Sequence, residues 1–291
     1  MELLWNQRFS SAIGAEQATY DQAVVYPNGS IAWGKVRYDI YAPRTDGKYD
    51  ITNDLNNRSY YRINTLLPLA DRGTLTVGYE NWDKVGPSNS SRTWVYNPGT
   101  RRVREAPEFG YDQPFGAGGF RTVDDDRLYN GPGDRYDWKI VGKREIYVPY
   151  DNYKIMDSSI KYDDMLTKGV ENPAYMRYEA HRVWVLQATL KDGYRHQYAK
   201  RELYLDEDTY MALLADNYDA RGELWRTNIA TTVYAYDAKT FYPTAVFYHD
   251  LISGAYLADR LTNQGPMVKL DDSPQFNASY FSPDAIRGSG Y

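Results

Sequence analysis

The stretch Arg177–Asp208, RYEAHRVWVLQATLKDGYRHQYAKRELYLDED, decides how the fold is read. β-branched and aromatic residues dominate both of its halves, and Lys191-Asp192-Gly193 punctuates them. It therefore reads as two antiparallel strands joined by a turn. A three-residue loop with Gly193 in the left-handed conformation sets Arg182 opposite Glu202, Trp184 opposite Lys200, Leu186 opposite Tyr198 and Ala188 opposite His196. A two-residue loop would instead bring Trp184 opposite Arg201 and leave Glu202 facing Val183. The first register is expected, because it gains an opposite-charge pair and a cation over an indole. In it His196 and His181 lie on opposite faces, so two of the chain's three histidines read as structural.

The same reading extends outward. Strands bounded by turns are expected over 24–41, with Pro27-Asn28-Gly29-Ser30 between them, and over 58–83, broken at Pro68 and at Asp71-Arg72-Gly73. Trp94-Val95-Tyr96 and Arg102-Val103-Arg104 form a hairpin about Asn97-Pro98-Gly99. WKIVGKREIYVPY (138–150) resumes the strand pattern, and a meander runs from Tyr178 to Tyr236. Short helices are expected around Leu3, Leu4 and Phe9, over YDDMLTKGVENP (162–173), and over DLISGAYLADRLTN (250–263). In the last of these Leu251, Ile252, Tyr256, Leu257 and Leu261 have helical spacing. A polar loop surrounds Asp46-Gly47. Gly, Pro and Asp dominate a long loop at about 109–134, and a polar tail begins near 265. No repeat or linker divides the 291 residues. The expected plan is one domain over 1–291, mainly β, built on a curved antiparallel sheet with a few helices.

Composition narrows the function. Tyrosine occurs 30 times, beside 7 tryptophans and 8 phenylalanines, which suits a sheet whose faces are apolar in body and wet at the tip. A formal charge of −5 gives no electrostatic case for nucleic acid. The absence of cysteine excludes thiol catalysis and disulfides. No apolar run approaches the roughly 18 residues that span a bilayer.

No catalytic motif emerges. G-x-S-x-G and H-E-x-x-H are missing, and Ser158-Ser-Ile-Lys161 lacks the partner motifs that would give S-x-x-K meaning. FGAGGF (115–120) has no phosphate-loop lysine. Asp124, Asp125 and Asp126 are calcium candidates by composition, set against a solvated acidic turn; counting an EF-hand from Asp206 puts Met211 at the sixth position, where glycine is required. No cofactor is expected. A carboxylate-dependent hydrolase would draw on Asp206, Asp208 or Asp216. The aromatic strand residues Trp33, Trp94, Trp138, Trp184 and Trp225 could instead line a cavity for an apolar ligand, or fill the core.

Five blocks carry a resemblance: WVYNPGTRRVREAP (94–107), YNGPGDRYDWKIVGKREIYVPYDNYK (129–154), the opening stretch continued to Tyr210, DNYDARGELWR (216–226) and DLISGAYLADRLTN. Over nearly the whole chain, from about Leu4, they resemble an uncharacterised proteobacterial family, a domain-of-unknown-function group whose members are labelled outer-membrane lipoprotein-sorting proteins. The resemblance implies a LolA/LolB-like half-barrel enclosing helices, with an apolar cavity between. It implies export to the periplasm, with the family's signal peptide and leader segment absent from this chain. Members are linked with membrane transporters and with lipid handling, and no reaction is established for them. The reading reached is a non-enzymatic periplasmic carrier of a lipid, acyl chain or other apolar small molecule, with a membrane transporter or outer-membrane component as a further partner. Trp94, Trp138, Trp184, Trp225, Leu251, Ile252 and Tyr256 are its expected ligand contacts, and the 109–134 loop its lid or a partner surface. An interaction protein without a ligand is the first alternative and the hydrolase the second.

Overall fold

The computed structural model describes residues 1–10, 13–43, 57–81, 91–106, 111–271 and 276–288. The polar loop expected at Asp46-Gly47, the start of the 109–134 loop and parts of the tail lie outside them.

The chain builds one open antiparallel half-barrel in two meanders. The first comprises β1 (Ala15–Val25), β2 (Ile31–Tyr41), β3 (Asn57–Leu67), β4 (Leu75–Asn81), β5 (Arg92–Asn97) and β6 (Arg102–Glu105), and it steps outward to one edge. The chain then crosses to the opposite edge, forming a two-stranded ribbon of β7 (Pro114–Phe115) and β8 (Arg121–Thr122) on the way. The second meander returns through β9 (Tyr136–Pro149), β10 (Tyr178–Leu190), β11 (Lys200–Asp206), β12 (Ala212–Tyr218), β13 (Leu224–Ala235), β14 (Thr240–Asp250) and β15 (Tyr256–Leu261), which pairs with β1. A short β16 (Lys269–Asp271) also joins β1. This topology explains the Gly- and Asp-rich composition of 111–135. A segment joining the two edges must traverse a face of the sheet, and its repeated turns need Gly116, Gly118 and Gly119 at positive φ. It forms a plug rather than a free loop.

Strand alternation separates two covered faces. On one, Leu186, Leu203, Leu205, Ala215, Val246 and Leu257 pack beneath Leu128 and Tyr129 of the plug and Leu3 and Leu4 of helix α1 (Glu2–Phe9). Arg8 ties α1 to the plug by donating to the Gly131 carbonyl at 2.6 Å. On the other face Ala23, Ala245, Phe247 and Ala258 pack under Ile155, Ile160, Met165 and Leu166. Those four belong to the connection between β9 and β10, which contains the one-turn helix α2 (Tyr162–Met165). The longer helix expected over 162–173 is thus a single turn. A C-terminal helix α3 (Pro283–Gly288) buries Ile286 against Leu75, Val77 and Tyr96.

Two expectations are corrected. Residues 250–263 form a turn and strand β15, not a helix. Asp250 Oδ1 accepts the Ile252 and Ser253 amides at 3.1 and 2.9 Å, and Gly254 at φ 70° closes the turn. Because β15 is buried on both faces, apolar residues occupy adjacent positions and imitate helical spacing. The β10–β11 register also differs from the one expected: Trp184 pairs with Leu205, Leu186 with Leu203 and Ala188 with Arg201. Lys191-Asp192-Gly193 does turn the chain. Residues 194–199, however, are drawn out of the ladder towards the plug, where Gln197 donates to the Asp112 carbonyl at 2.6 Å. The cation over Trp184 is Lys143, at 4.3 Å, and Arg182 pairs with Glu207.

Candidate functional site

The face covered by the plug is not filled along its whole length. Over β1–β5 it borders a hollow of about 1060 Å³. The wall follows from period-two alternation. It presents Tyr20 and Gln22 from β1, Gly34, Val36 and Tyr38 from β2, Tyr61, Ile63 and Thr65 from β3, Thr76 and Glu80 from β4, and Thr93 and Val95 from β5. The register sets these side by side: Tyr20 pairs with Val36, Tyr38 with Ile63, Ile63 with Thr76 and Thr76 with Val95. Phe115, Gly116, Ala117 and Arg121 of the plug close the opposite side. Two glycines make room. A Cβ on Gly78 would stand 2.5 Å from both the Tyr61 hydroxyl and the Arg92 carbonyl, and one on Gly34 would meet Gln22 at 3.0 Å and Ala117 at 3.3 Å.

One end of the hollow is polar. Asp259 accepts from Gln22 at 2.8 Å and lies 3.3 Å from Arg121 Nε. Arg260 Nη2 donates to Glu16 at 3.0 Å, Tyr20 at 2.8 Å and Tyr242 at 3.2 Å. Arg58 donates to Asn130 at 2.8 Å, and Asn130 to Glu80 at 3.0 Å. Burial pushes the Asp126 carboxyl up, but Arg121, Arg127, Arg260 and Arg58 hold it below the usual carboxylate range. Burial pushes the Tyr38 hydroxyl up, and Asp126 and Glu80 push it further. Burial opposes the charge on Arg121, yet Tyr248, Asp259 and Asp126 more than offset it.

A second polar cluster lies under the plug. Arg201, fully buried, donates from Nη2 to Asp124 Oδ1 at 2.6 Å and holds Nη1 3.4 Å from Asp125. His196 Nε2 is 3.2 Å from Asp124 Oδ1, and Tyr198 donates to Asp125 at 3.2 Å. The Thr122 hydroxyl and amide bind the same two carboxylates at 2.8 and 2.7 Å. Burial pushes the Asp124 carboxyl up, but Arg201 and His196 hold it well below the usual range. Of the two readings weighed for Asp124, Asp125 and Asp126, the solvated acidic turn does not hold for the first two, which are buried. A guanidinium holds the first two, the third faces the hollow, and no cluster of three or more metal-ligating side chains occurs among the described residues.

None of the seven residues expected to contact ligand lines the hollow. Trp94 sits between Thr93 and Val95, so it faces the other side, against Tyr79 at 6.1 Å. Trp138 and Trp184 pack against the core beneath the plug, with Trp138 donating to the Gly133 carbonyl at 2.9 Å. Trp225 donates to Asp250 at 3.1 Å, next to the turn that exposes Leu251 and Ile252. Tyr256 is buried on the outer face and donates to the Thr167 carbonyl at 2.8 Å. Of the tryptophans considered, Trp33 alone borders the hollow, its ring 5.4 Å from Tyr162. Of the three carboxylates weighed for hydrolysis, Asp206 binds His181 and Thr209, Asp216 binds Tyr204 and Thr227, and Asp208 is exposed. The wall residues left a signal, a period of two through Thr65, Ile63 and Tyr61 and through Val36 and Tyr38. Which face would be left open was not in it.

The family model described as "Protein of unknown function (DUF1329)" matches residues 1–287. The chain is 38% identical over 292 residues to "Uncharacterized protein PA3922" of Pseudomonas aeruginosa, over 100% of this chain and 63% of that relative. It thus spans less than two thirds of that protein's length. A solved structure titled "putative outer membrane lipoprotein-sorting protein domain" from Vibrio parahaemolyticus superposes with a TM-score of 0.65 at 14% identity, covering 98% of this chain and 97% of that one. The LolA superfamily protein NE2245 from Nitrosomonas europaea superposes at 0.53 and 13% identity, covering 98% and 97%. At these identities the likeness is one of fold, the LolA-like half-barrel.

Proposed function

The chain belongs to the DUF1329 family, and from that membership and its hollow we infer that it is a periplasmic protein that shelters an apolar ligand, a lipid or an acyl chain. The single observation that carries this reading is the wall of β1–β5, whose aligned side chains border about 1060 Å³ that the described residues do not fill. The mechanism is burial, with no bond made or broken. Each methylene removed from water contributes about 0.8 kcal/mol, so a dodecyl chain gains roughly 9 kcal/mol before the cost of about 4 kcal/mol or more for lost freedom. Longer chains bind more tightly by the same increment. A carrier of this kind would serve lipid or lipoprotein traffic to the outer membrane, with a membrane transporter or outer-membrane component receiving the cargo. No helix among the described residues is long and apolar enough to cross a membrane.

The test is native mass spectrometry of protein purified without detergent, alongside displacement of an uncharged fluorescent dye by dodecanol. A lipid-sized adduct and saturable displacement, both lost in Ile63→Trp, are expected. Bare protein with no displacement would leave the interaction-partner reading instead.

A further inference from the structure

The polar end of the hollow holds more donor capacity than the protein uses. Arg121 has a side-chain exposure of 10%, and its Nη1 makes no hydrogen bond among the described residues. Its closest carboxylate, Asp259, already accepts from Gln22. The guanidinium is clamped between Phe115 and Tyr248, at 4.8 and 5.9 Å from their rings, so it cannot swing out to water. Arg260 Nε is likewise buried without a hydrogen bond. A buried donor left unmade costs free energy that the fold has no reason to carry. Two such donors on residues that border the hollow leave a place for an acceptor.

The backbone adds an independent observation. Arg127 and Leu128 follow one another at φ 52° and 64°, in the left-handed region that residues with a Cβ avoid. Leu128 is fully buried in the core, and the double inversion turns Arg127 into the lining of the hollow. Strain of this kind is held where a side chain has to be aimed.

We infer that the hollow takes an amphiphile with an oxyanion head, a carboxylate or a phosphate, seated at Arg121 with Arg127 beside it and its chain laid along Val36, Ile63 and Val95. The guanidinium fork matches both heads, since each offers two coplanar acceptors to parallel N–H donors. Asp126 faces the same space as an anion, held ionised by its four arginines, and it opposes a second negative charge. It sets the affinity of the head below what the arginines alone would give. This inference rests on the hollow being a ligand site.

The experiment compares dodecanoate, dodecyl phosphate and dodecanol, each below its micelle concentration, as displacers of an uncharged dye at low ionic strength. Both anions are expected to displace at concentrations at least about ten-fold lower than the alcohol, the scale of one charge-assisted hydrogen bond. The order of the two anions assigns the source, a free fatty acid or a phospholipid head. Arg121→Gln is expected to erase the preference, and Asp126→Asn to enlarge it. Should Arg121→Gln fail to fold, the wild-type ratio and Asp126→Asn still decide. Equal displacement by the alcohol and both anions would overturn the oxyanion head and leave the apolar site standing. Displacement by none of the three would overturn the site itself.

Discussion

Where β10–β15 pass beneath the plug, the covered face carries Leu186, Leu203, Leu205 and Leu257, all almost wholly shielded from solvent. Where β2–β5 continue the same face, it carries Val36, Ile63, Thr65, Thr76, Thr93 and Val95, which border open space. Both regions belong to one sheet and one alternation, so period does not separate them. Side-chain type and the path of the plug do. Leucines fill a gap against Leu128 and Tyr129, whereas threonine and valine stop short and can face either water or hydrocarbon. The second meander therefore carries the denser packing under the plug, and on the proposed reading the first is a wall that gains and loses an occupant.

The sharpest way to break that division is at Arg201. Arg201→Met keeps the apolar stem but strands Asp124 and Asp125 without their guanidinium. Removing one partner of a buried pair costs about 3–5 kcal/mol, and urea denaturation should show a loss of that size. If the plug is held mainly by this cluster, its amides should also lose hydrogen-exchange protection ahead of the β10–β11 core.

A matched pair of truncations tests the two faces directly. Leu203→Ala, at a fully buried position, removes packed atoms and leaves a cavity, costing about 2–5 kcal/mol. Ile63→Ala, on the wall, creates no new cavity because the hollow already lies beside it. Its cost should be under about 1 kcal/mol. Equal losses would show that the first meander is as tightly committed as the second.

Acid should act on the carboxylates of the plug, Asp124 above all. The folded state holds the Asp124 carboxyl below its ordinary value near 4. A depressed folded pKa means the contribution is complete above about pH 4 and is lost as the pH falls from there towards the folded value. Unfolding midpoints should therefore drop below pH 4 in the wild type, and drop less steeply in Arg201→Met, where Asp124 has lost its partner.

Local pattern and long-range placement were not equally legible in the sequence. The strands and the turns at Pro27–Ser30 and Asn97–Gly99 could be read, because alternation and turn chemistry are local; the half-barrel was implied by the family resemblance. The 250–263 segment was misread since a strand covered on both faces has no polar side to declare its period. The β10–β11 register was misread because the preference for a short turn yields to the pull of Asp112, Asp124 and Asp125, more than 70 residues away in sequence. The hollow was anticipated as a consequence of curvature. Its lining was not, because it depends on the crossover from β6 to β9 lying over β1, β2, β12 and β13. Tryptophan drew attention by size, whereas the positions that border the space on β2–β5 include valine, isoleucine, threonine and tyrosine.

The smallest expected effect discriminates most finely. Thr76 faces the hollow, half-buried, between Ile63 on β3 and Val95 on β5. Thr76→Val swaps a hydroxyl for a methyl at nearly constant shape, with no side-chain hydrogen bond to the described residues to break. In a packed, dry core that exchange would stabilise the fold; on a wall wetted in the empty state it should leave the unfolding midpoint within about 0.5 kcal/mol of wild type. The same substitution should tighten dodecanol binding by a factor of about two to four, the share of one methyl group transferred from water to hydrocarbon. Binding that improves while stability stays put is what a vacant wall predicts. A stability gain with no change in binding would mean that Thr76 faces the protein's own side chains, and the contrast between the two meanders would fall with it.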